Sequence, residues 1–254
     1  MKAIITGATS GIGEAVARGL IERGYEATLV GRSDERLRAS AARMGGDVHI
    51  ERADFADLAQ VRELADRLEP ADVVVNSAAV IAPDAVRTVT INHLAPFVLL
   101  TRLAERFGPA RFIVLGADPV YLSERPVDLE DLFAPGDPFA VYGRTKNMNA
   151  MFVYEFARRA PQHEVNGAHP GIIGGTGLSG ETPGLKEQVH ARYGIDEASL
   201  PNAEAGADTP LWLATEGTGT GRFYVGREPV TTAPHTTDPE RCARLWELTE
   251  RSTR

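Results

Sequence analysis
The sequence predicts an α/β fold, a single domain spanning 1–254 and built on a doubly wound parallel sheet. Three observations carry that expectation. Short apolar runs closed by turn signals alternate with segments of helical periodicity along the whole chain. The first run passes through a glycine-rich turn directly into a helix pattern, which is the local context of a nucleotide phosphate site. A length of 254 residues suits one such domain with a sizeable core.

Lys2-Ala3-Ile4-Ile5-Thr6 is the first buried strand, and Gly7 to Gly13 form the turn. Val16, Ala17, Leu20 and Ile21 face inward on the helix that follows, which stops at Gly24. Ala27–Val30 is the second strand, ending in Gly31-Arg32-Ser33, with Asp34 expected to cap the next helix. Val48–Glu51 is the third strand, and Asp57 is expected to cap a helix through Val61, Leu64 and Leu68. Asp72–Val75 is a fourth strand near the sheet centre, and Arg111–Leu115 is the fifth. A Pro-, Asp- and Gly-rich loop, Leu132–Pro138, leads to Tyr142, which opens a buried helix carrying Met148, Met151 and Phe156. Val165–His169 is the sixth strand. Residues 177–202 are rich in Gly, Pro and polar groups, with a short helix near Leu185–Tyr193, and are expected to form a substrate lid; a plain surface excursion is the alternative. A helix over Ala203–Ala214, a strand at Gly221–Val225 and a polar helix over Asp238–Thr249 complete the chain.

Composition excludes several function classes. The net charge of −8 argues against a nucleic-acid surface. The single cysteine, Cys242, allows no disulfide within the chain and suits a reducing compartment. The apolar start is too short for a signal peptide, and no run approaches a membrane span, so a cytoplasmic protein is expected. The six histidines show no metal-ligand spacing.

The chemistry concentrates in Tyr142-Gly143-Arg144-Thr145-Lys146. Four residues make about one helical turn, so Tyr142 and Lys146 share a face. A free tyrosine has a pKa of about 10, and a neighbouring cation favours its phenolate. Such a pair can give a proton to a carbonyl or take one from an alcohol. Only Lys2, Lys146 and Lys186 are lysines among 27 basic residues, so an amine is retained here in a chain that otherwise uses arginine.

Thr6-Gly7-Ala8-Thr9-Ser10-Gly11-Ile12-Gly13 and the Tyr142/Lys146 pair together resemble the T-G-x-x-x-G-x-G and Y-x-x-x-K motifs of the short-chain dehydrogenase/reductase family. The resemblance covers essentially the whole chain. Ile91-Asn92-His93-Leu94 and His169-Pro170-Gly171 look most like its retinol-dehydrogenase-like branch. It implies a Rossmann-like domain that binds a nicotinamide dinucleotide. Gly7, Thr9, Ser10, Gly11, Ile12 and Gly13 would cradle the phosphates at a helix N-terminus. An NAD site usually carries an acid at the tip of the second strand; here Arg32 would instead clamp a 2′-phosphate, with Ser33 as a neutral donor, so NADP(H) is the expected cofactor. Asp54 would accept from the adenine amino group, with the Phe55 backbone beside it. Asn76 would brace the sheet centre, and Ala78, in a stretch similar to N-N-A-G, would pass close to the cofactor. Tyr142 and Lys146 would contact its ribose. Pro170, Gly171, Ile173 and Thr176 would meet its nicotinamide side. Asn92 would hold a water that relays protons to Lys146.

Two departures stand out. The family's active-site serine falls on Ala117, which has no hydroxyl; Tyr121 and Ser123 lie further into the same loop. Loss of one oxyanion donor costs roughly 2.7–4 kcal/mol in other enzymes. The resemblance suggests a homo-oligomer, but the segment from Asn76 to Asn92 is short, which leaves room for a monomer. The expected activity is NADP(H)-dependent interconversion of a carbonyl and an alcohol on a small, apolar or natural-product substrate. The alternatives are non-redox chemistry (a cyclase, dehydratase or epimerase) and a non-catalytic NADP(H)-binding regulator.

Overall fold
The structure is a computed structural model, and it describes residues 1–119, 123 and 126–254. The described strands are β1 (Lys2–Thr6), β2 (Glu26–Gly31), β3 (Val48–Arg52), β4 (Val73–Asn76), β5 (Arg111–Leu115), β6 (Glu164–His169), β7 (Arg222–Val225) and β8 (Glu228–Val230). They form one sheet in the order β3-β2-β1-β4-β5-β6-β7-β8, parallel throughout except for the β7–β8 pair. Val73, Val74 and Val75 of β4 are all buried, as expected for a central strand covered on both faces.

The described α-helices are α1 (Gly11–Ile21), α2 (Asp34–Met44), α3 (Leu58–Arg67), α4 (Ala85–Val89), α5 (Ala95–Arg106), α6 (Pro138–Arg159), α7 (Leu185–Tyr193), α8 (Ala203–Thr215), α9 (Pro234–Thr237) and α10 (Pro239–Ser252). One core joins Val16, Leu20, Leu29, Ala207 and Leu213, so α1 and α8 cover one face of the sheet. A second joins Val61, Leu64, Leu99, Leu103, Phe152 and Phe156, so α3, α5 and α6 cover the other. α10 lies over that second layer through Trp246, whose ring centroid is 4.8 Å from Phe97 and 5.8 Å from Phe152.

Strand order reverses at β1, which pairs with β2 on one side and β4 on the other; Thr6 is in register with both Val30 and Asn76. The carboxyl ends of these strands part there and open a crevice, where α/β sheets bind ligands.

Two expectations about element ends need correction, and one strand was not foreseen. Asp34 does not cap α2: Ser33 does, its hydroxyl accepting from the Arg36 N–H at 3.3 Å, and Asp34 is the first helical residue. The Tyr142 helix begins at Pro138, with Asp137 accepting from the Phe139 and Ala140 N–H groups, so Tyr142 lies in its second turn. The edge strand β8 has no sequence signal of its own. It is only Glu228-Pro229-Val230, returned by a two-residue turn in which Gly226 (φ 57°) and Arg227 (φ 68°) are both left-handed. Asp57 does cap α3, accepting from Ala59 and Gln60.

Candidate active site
The crevice at the switch point is a cleft of about 250 Å³ lined from β1, β2, β4, β5, α6 and the segment after β6. At its floor Thr6 organises the turn. Its hydroxyl donates to Asn76 Oδ1 at 3.1 Å and accepts from the Ser77 and Ala78 N–H groups, each at 3.1 Å. Backbone therefore approaches backbone. A Cβ on Gly7 (φ 67°) would lie 2.9 Å from Ala78 Cα, and one on Gly13 would lie 2.5 Å from the Gly7 carbonyl oxygen. Only glycine fits either place. α1 begins at Gly11, and Ser10 makes no side-chain cap, so its first N–H groups face the cleft uncapped. A helix N-terminus behind a cradle that no side chain can fill suits a pyrophosphate. The residues present fit a dinucleotide.

At the adenosine end, Thr9, Arg32, Ser33, Asp54 and Phe55 line the cleft together. Asp54 Oδ1 also accepts from the Ala56 N–H at 3.0 Å, which fixes its orientation. Arg36 lines the cleft as well and was not foreseen. It follows Arg32 by four residues, in the first turn of the helix that Ser33 caps. Arg32 is not alone. Its Nη1 donates to Glu181 Oε1 at 2.6 Å, and Arg87 grips the same carboxylate through Nε at 2.7 Å and Nη2 at 3.0 Å. These two arginines, Arg87 first, hold the Glu181 carboxyl at about 2. Glu181 belongs to the expected lid, part of which lies across the cleft: Gly177 and Leu178 line it, the Ile81 N–H donates to the Leu178 carbonyl at 2.9 Å, and the Thr182 hydroxyl donates to the Ile81 carbonyl at 2.8 Å.

At the opposite end, Tyr142 and Lys146 line the cleft from α6 beside Leu115 and Gly116. Lys146 Nζ donates to the Leu115 carbonyl at 3.0 Å and stands 5.4 Å from the Tyr142 ring centroid. Lys146 is 5% exposed, and burial lowers its pKa to about 8. Phe139 stacks on Tyr142 from one turn back, centroids 6.2 Å apart. Asn92 sits behind the cleft, fully buried, in a π-helical turn over Thr90–Leu94. Its Nδ2 donates to the Val80 carbonyl at 2.9 Å and to Thr145 Oγ1 at 3.1 Å, and its Oδ1 accepts from the Val80 N–H at 2.8 Å. Its own carbonyl accepts from Asn149 Nδ2 at 2.9 Å. Both amide N–H groups are thus committed to protein, and the carboxamide fastens Val80 to α6.

The other expected residues divide. Gly7, Ser10, Gly11, Ile12, Ala78, Pro170 and Thr176 line the cleft. Gly13, Asn76, Gly171 and Ile173 do not: Gly13 packs on the Gly7 carbonyl, Asn76 is buried on Thr6, and the Ile173 side chain packs over Gly206. Ala117 is buried with Ala150 and Phe223 and offers no donor. Tyr121 lies outside the described residues, and Ser123 is exposed. His169 was not singled out for a role at the site. Its Nε2 is 3.8 Å from Asp118 Oδ2, its buried Nδ1 has no hydrogen-bond partner, and burial lowers its pKa. Among the described residues no His, Cys, Asp and Glu cluster could hold a metal, and no helix is long and apolar enough to cross a membrane.

The profile of the NAD dependent epimerase/dehydratase family matches residues 3–180. A candidate daunorubicin C-13 ketoreductase of Streptomyces sp. (strain C5) is 36% identical, over 96% of this chain and 89% of its own. The chain belongs to the short-chain dehydrogenase/reductase family. Mouse retinol dehydrogenase 13 is 28% identical over 96% of this chain and 80% of its own. The crystal structure of an uncharacterised Mycobacterium paratuberculosis protein superposes with a TM-score of 0.81 at 27% identity, covering 99% of this chain and 92% of the other. This dehydrogenase/reductase is an oxidoreductase, and its family binds NAD(P).

Proposed function
We propose that the protein is an NADP(H)-dependent reductase that interconverts a carbonyl and an alcohol on a small, apolar or natural-product substrate. One observation carries this reading: the Tyr142–Lys146 face of α6 closes the same cleft whose other end presents Arg32 and Arg36. The bound nicotinamide would supply or accept the hydride. Tyr142 is placed to give a proton to the carbonyl oxygen on reduction, or to take the hydroxyl proton on oxidation. Lys146, anchored on the Leu115 carbonyl, keeps its ammonium beside the phenol and favours the phenolate. Asn92 is a positioning residue that holds Val80, at the cleft wall, against the second turn of α6. Arg32, Arg36 and Ser33 offer two guanidinium groups and a hydroxyl to a 2′-phosphate. The resemblance that matches Ala117 to a serine leaves Tyr142 to carry the substrate oxygen without that hydroxyl.

The relatives named for carbonyl reduction support net redox over the cyclase, dehydratase or epimerase reading and over a pure binder. A monomer is supported by α10, which covers α5 and α6 with Trp246. The test mixes protein, NADPH and a panel of apolar ketones and aldehydes and follows nicotinamide absorbance. Turnover that is lost in Tyr142→Phe is expected; turnover that survives it removes Tyr142 as the acid. For the cofactor, Arg32→Asp should move preference towards NAD, and unchanged NADP affinity would remove Arg32 as the clamp.

A further inference from the structure
We propose that Glu181 is an internal competitor for the adenosine 2′-phosphate site and so sets how strongly the protein prefers NADP(H) to NAD(H). The inference rests on the reading of Arg32 as the 2′-phosphate clamp. The tip of β2 carries no acid, but the chain supplies one from 149 residues away: Glu181 Oε1 lies 2.6 Å from Arg32 Nη1. A carboxylate and a phosphate oxygen make the same charge-assisted bonds to a guanidinium, so each excludes the other from that donor.

The exchange has a built-in path. Arg87 holds Glu181 at both oxygens, 2.7 Å to Oε2 and 3.0 Å to Oε1, so the acid keeps a partner when Arg32 lets go. The Leu178 and Thr182 hydrogen bonds to Ile81 hold the surrounding segment independently. Giving Arg32 to a phosphate thus costs one half-exposed ion pair, since the Arg32 side chain is 52% exposed, and needs no unfolding of the lid. The displaced carboxylate stays on Arg87 and continues to repel the phosphate. With NAD(H) there is no phosphate and the pair persists. Discrimination in favour of the 2′-phosphate is therefore smaller than Arg32 and Arg36 alone would give. The cleft's 250 Å³ is below the roughly 300–1,000 Å³ of ordinary small-ligand sites, consistent with a strap drawn across it before a dinucleotide enters.

The test is calorimetric titration with two probes, 2′,5′-ADP and 5′-AMP, which differ only in the 2′-phosphate. Glu181→Gln should bind 2′,5′-ADP about two- to fivefold more tightly, the upper range of one exposed ion pair, and leave 5′-AMP unchanged. The gain should vanish when Arg32→Ala is added. Because a glutamine oxygen can still accept from Arg32, Glu181→Ala provides the second variant and should show the larger gain. Equal 2′,5′-ADP affinity in wild type and both variants overturns the proposal, as does an equal change for both probes, which would mark Glu181 as merely a lid strut. If wild type does not distinguish the two probes and Arg32→Ala changes neither, the clamp reading itself falls and the competitor falls with it.

Discussion

The two ends of the cleft are held by different kinds of interaction. At the Tyr142 end, Lys146, Asn92 and Thr145 are buried side chains whose bonds mostly involve backbone. At the Arg32 end, the fixed points are ion pairs among side chains of which Arg32 is 52%, Arg87 32% and Glu181 21% exposed. A buried polar group left unpaired costs about 1–3 kcal/mol, whereas an exposed ion pair contributes about 0–1 kcal/mol and weakens with salt. On the proposed reading, the scaffold thus holds the proton-transfer end rigidly. It leaves the choice of nucleotide to contacts that exchange at little cost.

The largest effect should separate chemistry from binding within the rigid end. Tyr142→Phe keeps the ring that stacks on Phe139 and removes only the hydroxyl, so kcat should fall by roughly 10²–10⁴ while NADPH affinity and Tm stay near wild type. A variant that loses NADPH binding with turnover would place Tyr142 in binding instead. Asn92→Ala comes next. It leaves the part-buried Val80 N–H and carbonyl and the buried Thr145 hydroxyl without the carboxamide, for a loss of about 1–3 kcal/mol and, at roughly 2–4 °C per kcal/mol, a Tm drop of several degrees. Glu181→Gln, at the exchangeable end, should barely move Tm. If thermal melts show the two variants equally destabilised, the contrast between the ends fails.

The rigid end was also the legible one. Strand, glycine turn and helix are local patterns, and Tyr142 and Lys146 are one turn apart on one helix, so periodicity alone brings them together. The Arg32 end depends on contacts that no local pattern encodes. Glu181 meets Arg32 across 149 positions and Arg87 across 94, and neither distance has a sequence signature. Asn92 was singled out only through the family resemblance, and the structure puts it in a π turn over Thr90–Leu94. Its bond to Val80 depends on how the short segment after β4 folds back, which a sequence read element by element does not provide. Arg36, in the first turn of α2, lines the cleft beside Arg32 only because of how that turn is set against β2, which the residue types alone do not encode.

Lys146 gives a smaller effect, visible in pH. Burial lowers it to about 8, whereas an unfolded chain keeps its lysine protons to about pH 10.4. Between those values the unfolded state binds more protons, so this group's contribution to stability rises with pH: the cost of burying the ammonium is fully present below pH 8 and is relieved above it. Activity should run the other way. Once the amine is neutral it no longer favours the phenolate, so kcat/KM for the cofactor, which reports the free enzyme, should decline above about pH 8, up to tenfold per pH unit. Lys146→Arg, whose charge does not titrate there, should flatten that limb whatever it does to the plateau. A limb that persists unchanged in the arginine variant belongs to another group.

Ser33 carries the smallest effect and tests the exchangeable end by subtraction. Its hydroxyl accepts from the Arg36 N–H as the cap of α2, and it also lines the cleft. Ser33→Ala should cost about 1 kcal/mol of stability through the lost cap, whereas Ser33→Gly should cost only a few tenths, since glycine is tolerated at that position. Neither replacement can donate to a phosphate. If the hydroxyl also serves the nucleotide, both variants should weaken 2′,5′-ADP binding equally, by a few-fold, though only one of them lowers Tm. If affinity instead follows Tm, the hydroxyl acts solely by setting the helix that carries Arg36, and the 2′-phosphate is held by the two arginines alone.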